Sequence, residues 1–143
     1  MSIHYERTIR FGEVDGAGFV FFVKYLELCH EAYEASLMRV GIELRAFFGA
    51  NRILIPIMKT QAQYLGPLQS GDKVRIELAV TAAGEHGYAI SYRVMHLAPA
   101  GEKLVALAKT EHMVIDLQSL ERKPPPPALA AWIQSGGAGG ASA

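Results

Sequence analysis

The chain has 143 residues, half of them apolar, with Lys plus Arg equal to Asp plus Glu at 14 each. That is one ordinary domain with material for one core, and its zero net charge lacks the basic excess of a nucleic-acid binder. A single cysteine, Cys29, excludes an intrachain disulfide, and no apolar run approaches the ~20 residues of a membrane helix.

Ile3, Tyr5, Ile9 and Phe11 alternate with polar neighbours and predict a first strand; "MSIHYERTIRF" alternates where a signal peptide would show an apolar block. A soluble cytoplasmic protein is therefore expected. The turn "GEVDGAG" follows, with glycines able to take positive φ. From about Val20 to Val40 the spacing predicts a helix. Lys24, Glu27, Glu31 and Glu34 form one narrow polar stripe and the rest is mostly apolar, so something must wrap around it. After a less regular link near "FFGANR", four strands are expected to meander. They are Ile53 to Leu65 (an edge or bulge at Pro56), Val74 to Val80, Tyr88 to Val94, and Lys103 to Leu117. "KPPPP" reads as a polyproline spacer, and a short segment around Trp132 closes a domain of residues 1–134; "SGGAGGASA", 135–143, reads as a disordered tail. The order β-α-β-β-β-β makes an α+β layer, an antiparallel sheet curled around one long helix. Apolar residues on the alternate phase, Ala79, Ala89, Met95, Val105, Leu107, Met113 and Ile115, ask for a partner subunit.

Three carboxylates precede or enter the helix: Glu13, Asp15 and Glu31. Asp15 stands beside the helix start, where unpaired N–H groups and partial positive charge can hold a developing oxyanion. A carboxylate there can act as nucleophile or as base toward water, which suits thioesters because a thiolate leaves without a strong acid. The same residues also read as a plain capped turn, with Gly16 and Gly18 as turn glycines. Glu31 is a minor catalytic candidate; Glu13 lies on the opposite phase from Asp15. "HEAYE" lacks the second histidine of H-E-x-x-H, so His30 and Glu34 are not read as metal ligands and no metal is expected. His86 reads as a solvated turn residue or as a contact to substrate, His112 as packing, and Cys29 as a small buried hydrophobe.

The element order, with "FGEVDGAGFVFFVKYLE" feeding the helix and "PLQSGDKVRIE" entering a later strand, resembles the 4-hydroxybenzoyl-CoA thioesterase family over roughly Tyr5 to Leu117. The resemblance implies a hotdog fold, hydrolysis of an acyl-CoA without a cofactor, and a homodimer that assembles to a tetramer. It implies catalysis by Asp15 and polarisation of the thioester carbonyl by the backbone N–H of Phe22. Expected substrate contacts are Gly16, Gly18, Phe19, His86 and Tyr88. "CHEAYE" and "ERKP" are most similar to the branch that hydrolyses 1,4-dihydroxy-2-naphthoyl-CoA in phylloquinone or menaquinone synthesis; 4-hydroxybenzoyl-CoA, benzoyl-CoA or another acyl-CoA is the alternative. A non-catalytic acyl-CoA- or acyl-ACP-binding hotdog protein is the rival of a different class. Where the family's founding enzyme carries a basic cluster for CoA phosphates, this chain has "GEHGY", Gly84 to Tyr88. Lys59, Arg122 and Lys123 remain candidates for that task.

Overall fold

The structure, a computed structural model, describes residues 3–138. Strand β1 (Ile3–Thr8) leads through a single 3-10 turn (Phe11–Glu13) to helix α1 (Phe22–Arg39). Gly41, at φ 83°, follows α1 just beyond its C-cap, as expected of a helix stop. The link near "FFGANR" is itself a helix, α2 (Leu44–Asn51), with the Glu43 side chain accepting from the Ala46 N–H at 2.7 Å. Strands β2 (Ile53–Leu54), β3 (Ile57–Tyr64), β4 (Lys73–Ala83), β5 (Gly87–Ala98), β6 (Gly101–Met113) and β7 (Ile115–Asp116) follow, then helix α3 (Pro127–Gln134).

One five-stranded antiparallel sheet runs β1-β4-β5-β6-β3, and β2 pairs with β7 in a small separate ladder. The expected four-strand meander is therefore only partly right. β4, β5 and β6 are consecutive neighbours, whereas β3 lies across the sheet beside β6. The cause is the crossing segment 65–72, which passes the mouth of α1. The Leu65 and Gly66 N–H groups donate to the Val105 carbonyl at 2.8 and 3.2 Å, and the Leu68 carbonyl accepts from the Val20 N–H at 2.8 Å. The long last strand also divides at Val114, whose N–H turns to the His86 carbonyl, 2.7 Å away.

α1 packs against β1, β4, β5 and β6. Leu28, Cys29, Ala32, Tyr33 and Leu37 meet the inward residues Val74, Ile76, Leu78, Val80, Tyr88, Ile90, Tyr92 and Val94. This is the expected wrapped helix. Burial pushes the Cys29 thiol up to about 12, so it behaves as a small hydrophobe. Val105 was expected on the outer face. A bulge opposite Val94 and Met95 shifts its phase, and it joins the core.

Order does not stop at Gln134. The chain turns back, the Gly136 carbonyl accepts from the Val80 N–H at 3.0 Å, and the Gly137 carbonyl accepts from the Ser36 hydroxyl at 2.9 Å. Gly137 sits at φ 94°, and a Cβ there would lie 2.8 Å from Val80 Cγ2, so only glycine fits. Residues 139–143 of the predicted tail lie outside the described residues. Deleting everything after Gln134 should lower the melting temperature by several degrees, since losing acceptors from buried donors costs about 1–3 kcal/mol each. An unchanged melt would show that these bonds contribute nothing.

Candidate active site at the mouth of α1

The segment before α1 is a tight hairpin closed by an antiparallel bridge between Val14 and Val20. Within it the Asp15 N–H donates to the Phe19 carbonyl at 2.8 Å, and the Gly18 N–H donates to the Asp15 carbonyl at 3.0 Å. Gly18 takes φ 89°, which permits the reversal. The Asp15 carboxylate turns back on this loop, and its Oδ1 accepts from the Ala17 and Phe19 N–H groups at 2.9 and 3.2 Å. Its Oδ2 has no hydrogen-bond partner among the described residues, and the residue is exposed. The loop thus orients a carboxylate and leaves one oxygen free.

α1 starts immediately beyond. Its N-cap is Phe21, which offers no side-chain cap, and its first turn contains no acidic residue. The first N–H groups, beginning with Phe22, are therefore available to an electron-rich oxygen. The Phe21 N–H donates to the Glu13 carbonyl at 3.3 Å, tying the two arms of the loop together one residue before Phe22 and two before Asp15. Aromatic side chains gather beside the helix start. Phe21 and Phe22 lie 4.9 Å apart, and Phe22 meets Tyr64 of β3 edge-on at 6.3 Å. Phe22 is 59% exposed. Tyr25 is held by its O–H, which donates to the Gly66 carbonyl at 3.1 Å.

A profile of the thioesterase-like superfamily matches residues 9–133. The chain belongs to the thioesterase-like superfamily. Thioester hydrolysis is its chemistry, and the Asp15 loop and the start of α1 both lie inside the matched span. The thioesterase is 40% identical over 131 residues to a 1,4-dihydroxy-2-naphthoyl-CoA hydrolase of Synechococcus elongatus, covering 91% of this chain and 93% of that one. It is equally 40% identical to the enzyme of that name from Rippkaea orientalis, over 92% and 94% of the two chains. Among solved structures, a 1,4-dihydroxy-2-naphthoyl-CoA thioesterase from Synechocystis superposes with a TM-score of 0.87 at 28% identity, covering 94% of this chain and 96% of that one. A 4-hydroxybenzoyl-CoA thioesterase bound to 4-hydroxybenzoyl-CoA superposes at 0.82 with 20% identity, covering 92% and 98%. The fold is the hotdog fold.

Of the expected substrate contacts, Gly16, Gly18 and Phe19 share the Asp15 loop, and Phe19 bridges to Gln69 of the crossing segment. His86 and Tyr88 do not join them within one subunit of the thioesterase. Tyr64, beside the helix mouth, pairs with Ala106, whereas Tyr88 pairs with His112. Six strand residues separate those two levels, about 20 Å. Tyr88 is fully buried, its hydroxyl against that of Tyr33 and its ring stacked on His112 at 4.8 Å. His86 is half-buried in the turn before β5.

His30 and Glu34 pair with each other at 3.0 Å. Among the described residues no group of three or more His, Cys, Asp and Glu is gathered as a metal site needs, and no helix is long and apolar enough to cross a membrane. Of the candidates for CoA phosphates, Lys59 lies 4.0 Å from Glu111 and Lys123 lies 3.7 Å from Asp116, while Arg122 is exposed.

Arg7 lies on the inward phase of β1, in line with Ile3, Tyr5 and Ile9, and reaches both Glu13 and Glu31. A charge on the apolar phase of a strand requires a buried partner, and that phase was its signal.

Proposed function

We propose that the protein hydrolyses 1,4-dihydroxy-2-naphthoyl-CoA, releasing the free acid for phylloquinone or menaquinone synthesis, with Asp15 as the working carboxylate. The observation that carries this reading is a carboxylate oxygen left free beside an uncapped helix start. The thioester carbonyl oxygen rests against the Phe22 N–H, where negative charge gathers as the carbonyl carbon becomes tetrahedral. Asp15 takes a proton from the attacking water, or attacks that carbon directly and forms a mixed anhydride that water hydrolyses once CoA has left. The C–S bond then breaks, and CoA leaves as its thiolate. The exposed aromatic residues beside the helix start, Phe21, Phe22 and Tyr64, supply stacking surface for an aryl group. The 40%-identical relatives support the naphthoyl assignment.

The active unit is a homodimer. β3 is an edge strand exposed along nearly its whole length, with exposed apolar residues at both ends: Ile57 and Met58 at one, Tyr64 beside the phenylalanines of the helix mouth at the other. Antiparallel pairing of two β3 edges about a two-fold axis sets the far end of one copy, with its His86, beside the α1 mouth of the other. Two such dimers form the tetramer through outer sheet faces. Light scattering should give at least twice the 15.6 kDa of one chain; a monomer mass would overturn the arrangement. Hydrolysis of 1,4-dihydroxy-2-naphthoyl-CoA, benzoyl-CoA, 4-hydroxybenzoyl-CoA and a fatty acyl-CoA, followed with a thiol reagent, should give the naphthoyl ester the highest kcat/KM. Faster turnover of another ester would displace the acyl assignment.

A further inference from the structure

We propose that Arg7 is a positioning residue for this hydrolysis, a clamp that fixes the Asp15 carboxylate relative to the first N–H groups of α1. The inference rests on Asp15 as the working carboxylate.

Three elements meet at the Arg7 guanidinium. From β1, Nη1 donates to Glu13 Oε1 at 2.9 Å and to the Thr8 carbonyl at 2.8 Å, and Nη2 donates to Glu13 Oε2. Nη2 also reaches Glu31 Oε2 on α1 at 3.2 Å, with Nε 2.7 Å from Glu31 Oε1. The Tyr5 O–H donates to the same Glu31 carboxylate at 3.0 Å. The Arg7 side chain is 12% exposed, so this is a sheltered fork-to-carboxylate pair, the geometry arginine forms and lysine cannot.

Glu13 passes this anchoring to the site. Its Oε1 also accepts the Arg10 N–H at 2.8 Å, and its own carbonyl accepts the Phe21 N–H at 3.3 Å. The chain leaves Glu13 toward Asp15 and leaves Phe21 toward Phe22, so one residue holds both arms of the loop. Glu31 ties the same guanidinium to the third turn of α1. Burial works to raise the Glu13 carboxyl, but the hydrogen bonds from Arg7 and the Arg10 N–H outweigh it and hold it below the usual range. None of these side chains touches the open oxygen of Asp15. Their effect is on spacing, and a misplacement of about 1 Å between reacting groups can cost on the order of 100-fold.

The test is steady-state hydrolysis of the aryl-CoA ester that the wild type turns over fastest, with thermal melts. The variants are Arg7→Met, Arg7→Lys and Glu13→Gln, with Asp15→Asn alone and combined with Arg7→Met. Arg7→Met and Glu13→Gln should lower kcat by about 10- to 100-fold with KM within about twofold. Arg7→Lys should recover part of the loss. In the Asp15→Asn background Arg7→Met should cost less than about twofold more, because the clamp acts through Asp15. A folded Arg7→Met with wild-type kcat, a loss confined to KM, or an equal loss in the Asp15→Asn background overturns the clamp. If Arg7→Met fails to fold, Glu13→Gln, which keeps the hydrogen-bonding shape, decides by the same criteria. Full turnover by Asp15→Asn alone sinks the Asp15 reading and the clamp with it. A dead Asp15→Asn beside an unimpaired Arg7→Met sinks only the clamp.

Discussion

Asp15→Asn should reduce hydrolysis by at least ~100-fold, the low end for loss of a catalytic acid–base group, while leaving the protein folded. The substituted amide keeps an Oδ1 that can accept from the Ala17 and Phe19 N–H groups, so the loop retains the bonds that shape it. What disappears is the charge and the free carboxylate oxygen. A turn residue of this kind contributes only ~1 kcal/mol as a cap, so the melting temperature should move by a few degrees at most. KM should change much less than kcat, because the substitution removes a charge and leaves the loop's hydrogen bonds in place. Glu31→Gln should cost less, no more than Glu13→Gln, since Glu31 acts on the site only through its contact with Arg7. Thiol release and a melt for each variant check this. Near-normal turnover by Asp15→Asn, with Glu31→Gln folded and dead, would move the chemistry onto the helix.

The second large effect is on stability in mild acid. His112 is 3% exposed, enclosed by Tyr33 and Tyr88, with Nε2 bonded to the Thr110 hydroxyl at 2.7 Å and Nδ1 buried without a partner among the described residues. Burial, helped by His30, depresses its imidazole from the ordinary 6.5 to about 4. Between those two values the unfolded chain binds a proton that the folded chain refuses. Its contribution is therefore intact above about pH 6.5 and is lost as pH falls toward 4, up to ~3 kcal/mol at 1.36 per unit. Urea unfolding at pH 7, 6, 5 and 4.5 should show the decline, and His112→Gln should flatten it. Equal slopes in the two proteins would mean that other groups carry the acid sensitivity. Glu13 and Asp116, whose carboxyls sit below their ordinary range, lose their contribution in the same direction but at lower pH.

The parts of this molecule that repeat were legible in its sequence. The stripe from Lys24 to Glu34 marked α1, and period-two alternation marked β4 and β5, because one face of each is buried along its length. α2 escaped because it has only two turns, holds Gly49 inside, and ends on Arg52 at φ 53° with no glycine to mark the stop. The position of β3 escaped because hydrophobic pattern says which face is inward and nothing about which strand lies alongside. At the site, the Asp15 loop was readable from "GEVDGAG". The burial of Tyr88 was not readable, because it packs against Tyr33, 55 residues away. The docking of Gly136 and Gly137 was invisible for a related reason. Their carbonyls do the binding, and composition describes side chains.

The hydroxyls along α1 have a consequence for how the helix is seated. A rod that is greasy on most sides can satisfy burial at several rotations about its axis, since apolar contact has no direction. Tyr25 reaches the Gly66 carbonyl, Tyr33 the Tyr88 hydroxyl, and Ser36 both the Trp132 indole and the Gly137 carbonyl. At 3.6 residues per turn, the first and last of these project within about 20° of each other, and Tyr33 lies about 80° from Tyr25 and about 60° from Ser36. Turning α1 by a single residue, about 100°, would strand every one of them in the interior. They work like the teeth of a key, admitting one angular setting and aiming the Phe22 N–H in one direction. Replacing all three residues with Phe, Phe and Ala would keep most of the burial and give up that uniqueness of orientation.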